Sequence, residues 1–245
     1  MRYRTTPGSL KFIWGSEMLR VEGLDLYYGE SHTLRDVCFA VQPSLCTCIM
    51  GRNGVGKTTL LRAIMGLDRV RTGQVSFAGN DISQLSTEQR SRLGIGYVPQ
   101  GRQIFPLLTI EENLRTGLSA RGLSKVPDLV YELFPVLWDM RQRRGGDLSG
   151  GQQQQLAIGR ALAVEPELLI LDEPTEGIQP NIVAEIADII KRLRQAGLTI
   201  LLVEQKLPFI RKLMDSFVLM DRGSVVATGD DSDLDENLVK RYLTV

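Results

Sequence analysis

Gly51-Arg52-Asn53-Gly54-Val55-Gly56-Lys57-Thr58 decides how this chain of 245 residues folds. The stretch satisfies G-x-x-x-x-G-K-[ST], the spacing of a loop that wraps the phosphates of a nucleotide. Glycines let successive backbone N–H groups converge on a phosphate with no Cβ in the way. Lys57 sets a charge against the β- and γ-phosphates, and the Thr58 hydroxyl can ligate Mg²⁺. The flanks agree. Residues 45–50 read as a buried strand and residues 59–65 as the helix that follows, its N-terminal dipole facing the phosphates. A bare glycine-rich turn would not carry such flanks. The candidate nucleotide contacts are therefore Gly51, Arg52, Asn53, Gly54, Val55, Gly56, Lys57, Thr58 and Thr59.

Further along, Leu168-Leu169-Ile170-Leu171-Asp172-Glu173 is an apolar run ending in two acids. That is how a central parallel strand reads when its C-terminal tip carries function. Asp172 is placed to hold the Mg²⁺ shell and Glu173 to polarise the attacking water. Alone, the pair could be a solvated strand end; its spacing from the phosphate loop favours the functional reading.

The class narrows at Leu148-Ser149-Gly150-Gly151-Gln152, followed by Ile158-Gly159-Arg160-Ala161-Leu162. Here the chain resembles the ATP-binding-cassette (ABC) ATPases, whose signature is LSGGQ and a helix ending in a GRAL-like run. Ser149 sits near a helix cap and the glycines leave N–H groups bare, so this helix start can also meet an anion. The resemblance implies that the anion is the γ-phosphate held by the other subunit's loop, with Leu148, Ser149, Gly150, Gly151 and Gln152 acting on the partner's ATP.

Three more motifs fall in the family's order. Tyr27-Tyr28-Gly29 lies where the family stacks an aromatic on adenine, and Tyr28 is the better match; a strand tyrosine packed on the core is the alternative. Tyr97-Val98-Pro99-Gln100 supplies the glutamine that in the family reaches Mg²⁺ and the water and couples nucleotide state to the helical subdomain. Glu204-Gln205 follows the apolar strand of residues 198–203, where most of the family has a histidine on the γ-phosphate. This is a departure. The single histidine, His32, precedes the phosphate loop, so no switch histidine exists, and the Gln205 amide donates a hydrogen bond without carrying charge. Glu176-Gly177-Ile178-Gln179-Pro180 departs as well, where many relatives have S-A-L-D-P.

GRNGVGKTTLL, GIGYVPQGR, LDEPTEGIQP and LLVEQ together are similar to the ATPase subunits of the branched-chain amino-acid and urea importers, EGIQP resembling the urea version. The resemblance runs from Met18 to the C-terminus. It implies an ATP hydrolase with ATP and Mg²⁺ as its ligands. The implied partners are a second ATPase subunit that is a different chain, two transmembrane permease subunits and a solute-binding protein. The implied place is the cytoplasmic face of the inner membrane, reached through the permeases. The implied solute is urea, with branched-chain amino acids as the alternative.

Lysine plus arginine and aspartate plus glutamate number 29 each, which argues against nucleic acid or an anionic membrane surface as the main partner. No apolar run approaches the ~20 residues of a transmembrane helix, so a soluble chain is expected. Cys46 and Cys48 alternate in the strand feeding the phosphate loop and read as buried thiols; with Cys38 they offer too few ligands for a metal. Free thiols fit a reducing cytoplasm. Residues 1–17 are basic, lack the apolar core of a signal peptide, and read as a loose extension.

The fold class expected is α/β: a P-loop NTPase of the ABC nucleotide-binding type over residues 18–245. An antiparallel β-subdomain joins a RecA-like core into which a helical subdomain, residues 101–150, is inserted. Residues 36–41 and 73–79 read as antiparallel strands. Pro127 and Pro135 bound short helices, with Trp138 as a core anchor. Ile182, Ile186, Ile189, Ile190 and Leu193 repeat at helical spacing up to a C-cap at Gly197. Asp221-Arg222-Gly223 turns a hairpin. Arg141, Arg143 and Arg144 read as a solvated face. Two other classes fit the motifs less well. A soluble, non-transport cassette ATPase would carry two cassettes or a coiled coil, and a phosphate-loop kinase or GTPase has no use for LSGGQ.

Overall fold

The computed structural model describes residues 17–243, so the expected extension lies almost wholly outside the described residues. In chain order the elements are β1 (Leu19–Tyr28), β2 (Ser31–Val41), β3 (Cys46–Met50), α1 (Lys57–Ile64), β4 (Thr72–Phe77), β5 (Asn80–Asp81), α2 (Thr87–Arg92), β6 (Ile95–Val98), α3 (Ile110–Arg115), α4 (Asp128–Leu133) and α5 (Pro135–Asp139). They continue as α6 (Gly150–Leu162), β7 (Leu168–Asp172), α7 (Pro180–Gln195), β8 (Thr199–Val203), α8 (Leu207–Ile210), β9 (Ser216–Asp221), β10 (Ser224–Asp230) and α9 (Glu236–Tyr242).

These form two sheets. One is antiparallel, in the order β2-β1-β4-β5; the other runs β10-β9-β3-β8-β7-β6, parallel except for β10. The central strands β3, β7 and β8 of the second sheet are buried on both faces because both are covered. Leu168 and Ile170 of β7, with Leu201 and Val203 of β8, point into a core shared with α1 and the antiparallel sheet. Leu169, Leu171, Ile200 and Leu202 point the opposite way, onto α6, α7 and the helical segment before α6. Two-residue alternation thus builds three layers from continuous apolar runs. Cys46 and Cys48 share the second face as fully buried free thiols, as their spacing predicted.

Side chains that join the layers fix the helices that matter for the site. Arg90 is buried, and its guanidinium donates to the carbonyls of Ala63 and Ile64 at the end of α1 (3.0 and 2.6 Å), to Leu85 and to Ser83. That gives the last carbonyls at the C-terminus of α1 a charged donor and anchors the helix whose other end meets the phosphate loop. Asn113 is fully buried in α3; it donates to the carbonyls of Phe105, Leu108 and Thr109 and accepts from Phe105 N. One side chain thereby shapes the loop leading out of Gln100.

Helix α7 buries Ile186, Ile189, Ile190 and Leu193, and ends at Gln195 with Gly197 just beyond at φ +96°. The hairpin β9–β10 turns at Arg222 and Gly223, both at positive φ. Arg143 and Arg144 are exposed, as a solvated face requires. Trp138 corrects an expectation: it is 50% exposed. Its ring packs edge-on against Tyr131 and carries the Arg141 guanidinium at 4.1 Å on its face. Leu137, its neighbour on α5, takes the buried position instead. Among the described residues no helix is long and apolar enough to cross a membrane.

Candidate active site

Four adjacent parallel strands end at one crevice. The phosphate loop follows β3, Gln205 follows β8, Asp172 and Glu173 close β7, and Gln100 follows β6. Placement at the carboxyl ends of parallel strands is the general location of ligand sites in open α/β sheets. A cavity of about 600 Å³ opens there, walled by Asn53, Gly54 and residues 56–59 of the loop, by Gln100, Glu173 and Gln205, and by Glu176 and Lys206.

Gly51 stands at φ +150°, and a Cβ on it would lie 2.4 Å from the carbonyl oxygen of Met220; only glycine lets the loop pass that strand. Val55 is buried and its carbonyl accepts from Gly223 N at 3.0 Å. Arg52 and its neighbours Gly51 and Val55 do not line the cavity; they hold the loop from behind. Lys57, 5% exposed, bends back so that Nζ donates to the carbonyls of Gly51 (2.8 Å) and Arg52 (2.9 Å). Burial lowers its pKa, opposed by the carboxylates of Glu173, Asp172 and Glu204.

Asp172 is 1% exposed. Its Oδ1 accepts from the Thr58 hydroxyl at 3.4 Å, while its buried Oδ2 has no partner among the described residues. Burial pushes its pKa up to about 6, with the Thr58 hydrogen bond pulling down. An orphaned carboxylate oxygen beside a hydroxyl is the donor set a small hard cation takes, so the residues fit Mg²⁺. Glu173 sits at φ +47°, a strained conformation for a non-glycine residue, held by its N–H on the Val203 carbonyl (2.9 Å). Its carboxylate accepts from Gln205 Nε2 on Oε1 (2.5 Å) and from Gln100 Nε2 on Oε2 (3.3 Å). Glu204, also buried, accepts from Thr175 Oγ1 and from the N–H groups of Gln205 and Lys206, and so shapes the turn presenting Gln205. His32 lies on β2 against Asp25, away from these groups.

Tyr28 and the signature stand apart from the cavity. The Tyr28 ring, at the end of β1, is 49% exposed, so it is not the core tyrosine of the alternative reading. Its hydroxyl donates to Asp68 (2.5 Å), itself held by the Arg62 guanidinium at 2.7 and 2.9 Å. Ser149 caps α6: its Oγ accepts from Gln152 N (3.3 Å), and Gln152 Oε1 accepts from Ser149 N (3.0 Å). Leu148 is buried beneath it. Cβ atoms at Gly150 and Gly151 would stand 3.0 Å from Arg102 and from Ile182 of α7, so both glycines also serve close packing.

Sequence reasoning missed Glu176, Glu204 and Lys206 as members of this arrangement. Their only sequence signal is adjacency to the two strand tips.

Glycine loop, buried lysine and acid-tipped strand define a phosphate-loop NTPase with a cassette-type signature helix. The ABC transporter family model matches residues 34–176, and the chain belongs to that family: it is an ATP-hydrolysing transporter subunit. It is 39% identical over 212 residues to the high-affinity branched-chain amino acid transport ATP-binding protein BraG of Pseudomonas aeruginosa, covering 85% of this chain and 91% of that one. It is 38% identical over 224 residues to the probable branched-chain amino acid transport ATP-binding protein LivF of Archaeoglobus fulgidus, covering 90% and 95%. Among solved structures it is similar to a nucleotide-free ATP-binding cassette from an ABC transporter (TM-score 0.77, 29% identity, 93% and 95% covered). A dimeric post-hydrolysis cassette bound to ADP and phosphate is also similar (TM-score 0.78, 25% identity, 87% and 98% covered).

Proposed function

We propose that this subunit energises an importer by binding and hydrolysing ATP at the crevice above β3, β8, β7 and β6. The observation that carries the reading is the Glu173 carboxylate held at both oxygens by amides across from Lys57 and Thr58. Lys57, Thr58 and the loop N–H groups bind the phosphates, and Tyr28 stacks on adenine. Thr58, Asp172 and the free carbonyl oxygen of Gln100 would hold Mg²⁺, which when bound neutralises phosphate charge. Glu173 orients water for attack on the γ-phosphorus. As the new P–O bond forms, the bond to the bridging oxygen breaks, ADP leaves, and a water proton moves toward the carboxylate. Gln205 positions without adding charge, so this site is the weaker of two, the other lying on a partner chain.

The signature at Ser149, Gly150 and Gly151 does not line this subunit's own cavity, which supports a sandwich in which it closes over the partner's ATP. Closure moves the helical subdomain, residues 101–150, and with it two permease subunits that keep the cassette at the cytoplasmic face of the membrane, fed by a solute-binding protein. The reading favoured for the solute is a branched-chain amino acid, the cargo named for both relatives above. Urea is the second reading and rests on Glu176-Gly177-Ile178-Gln179-Pro180 and on Leu201-Leu202-Val203-Glu204-Gln205. Deleting the gene and following labelled leucine and labelled urea at low concentration separates them. Lost leucine uptake with intact urea uptake is expected; the converse selects urea, and unchanged uptake of both overturns the importer reading for these solutes.

A further inference from the structure

Beyond β7, Glu176 presents a second carboxylate to the crevice. Its Oε2 accepts from Gln100 Nε2 at 2.9 Å, and the same nitrogen lies 3.3 Å from Glu173 Oε2. A primary amide has two N–H donors and one carbonyl. Gln100 can thus serve both carboxylates while its oxygen has no partner among the described residues, and Gln205 takes the remaining oxygen of Glu173 at 2.5 Å. The chain Glu176–Gln100–Glu173–Gln205 links groups from the tips of β6, β7 and β8. Glu176 is exposed and has no ion-pair partner among the described residues; its carboxylate is held by the Gln100 amide. Of the two acceptors it makes the shorter contact, and without it the Gln100 amide would keep only the longer one and regain rotamer freedom.

We infer that Glu176 is a positioning residue for hydrolysis: it pins the Gln100 amide, which with Gln205 fixes the plane of the Glu173 carboxylate. This rests on the proposed reading of Glu173 as the group that polarises water. It assigns Glu176 a role as hydrogen-bond acceptor, distinct from that of a solvated surface acid.

The test is steady-state phosphate release by the assembled transporter with Glu176→Ala, Glu176→Gln, Gln100→Ala, the Glu176→Ala/Gln100→Ala double variant and Glu173→Gln. Glu176→Ala should lower kcat ~10-fold with the KM for ATP within about two-fold, because misplacement of a reacting group acts on the chemical step. Glu176→Gln keeps a carbonyl acceptor and should recover most of the lost rate. The double variant should be no slower than Gln100→Ala, as expected for residues acting through one contact. Wild-type kcat in Glu176→Ala, a change confined to KM, a Glu176→Gln as slow as alanine, or losses that multiply in the double variant would each overturn the inference. A Glu173→Gln variant that is slow beside an unaffected Glu176→Ala sinks only the inference. A Glu173→Gln variant with normal turnover sinks the underlying reading as well.

Discussion

In the proposed function two helix starts meet phosphate, and they are built differently. At α1 the N-cap is Gly56 at φ +106°, no side chain caps the helix, and no acid sits in its first turn. Its donors are left to a ligand, with the Lys57 ammonium buried beside them. At α6 the Ser149 and Gln152 side chains close a reciprocal capping box, so the N–H groups of Ser149 and Gln152 are already taken. The glycines differ in purpose too. Gly51 clears a backbone carbonyl, whereas Gly150 and Gly151 clear Arg102 and Ile182. A start that leaves its donors open can bind phosphate unaided. A start that caps itself is stable alone, and in the proposed sandwich it meets only a phosphate carried by another subunit.

The largest expected effect lies on the α1 side. Glu173→Gln should slow hydrolysis on the order of 10²–10⁴-fold while leaving ATP binding near normal and trapping the closed pair, since it removes the carboxylate proposed to polarise water. Unchanged phosphate release would erase the distinction between a working site and a capped one. Next is Ser149→Ala. Losing the box should cost about 1 kcal/mol, which for a domain of this size lowers Tm by about 2–4 °C. Calorimetric melting reads it, and an unshifted Tm would mean that the α6 cap contributes nothing.

The smallest effect belongs to Gln205→His, which keeps a donor for Glu173 and adds a group able to carry charge. The isolated subunit's ATPase rate should rise or hold. If the wild-type subunit alone turns over at ~1–100 s⁻¹ and the variant is dead, the weaker-site account fails.

Contiguous signals made much of this readable in advance. The phosphate loop, the strand capped by Asp172 and the Ser149 helix start each lie within eight residues or fewer, and their geometry follows from residue types at fixed spacing. The fold class follows, because Leu168–Leu171 of β7 and Ile200–Val203 of β8 are unbroken apolar runs that only a sheet covered on both faces can use. What escaped depends on distance along the chain. The Glu176–Gln100 contact spans 76 residues and the Thr175–Glu204 contact 29, and no local pattern announces either. Trp138 was misplaced for a related reason. Large aromatics are mostly buried, but Leu137 beside it already filled the interior position, leaving the tryptophan to Tyr131 and Arg141 on the surface.

The contrast between the two helix starts is tested most directly by titrating ATP into the isolated subunit, Lys57→Ala beside Ser149→Arg, in a calorimeter. Lys57→Ala should weaken binding on the order of 10²-fold, because the phosphates lose their charge partner. Ser149→Arg should bind like the wild type, since in the proposed sandwich that helix start acts on a nucleotide held by another subunit. Equal losses in both variants, or retained affinity in Lys57→Ala, would contradict it.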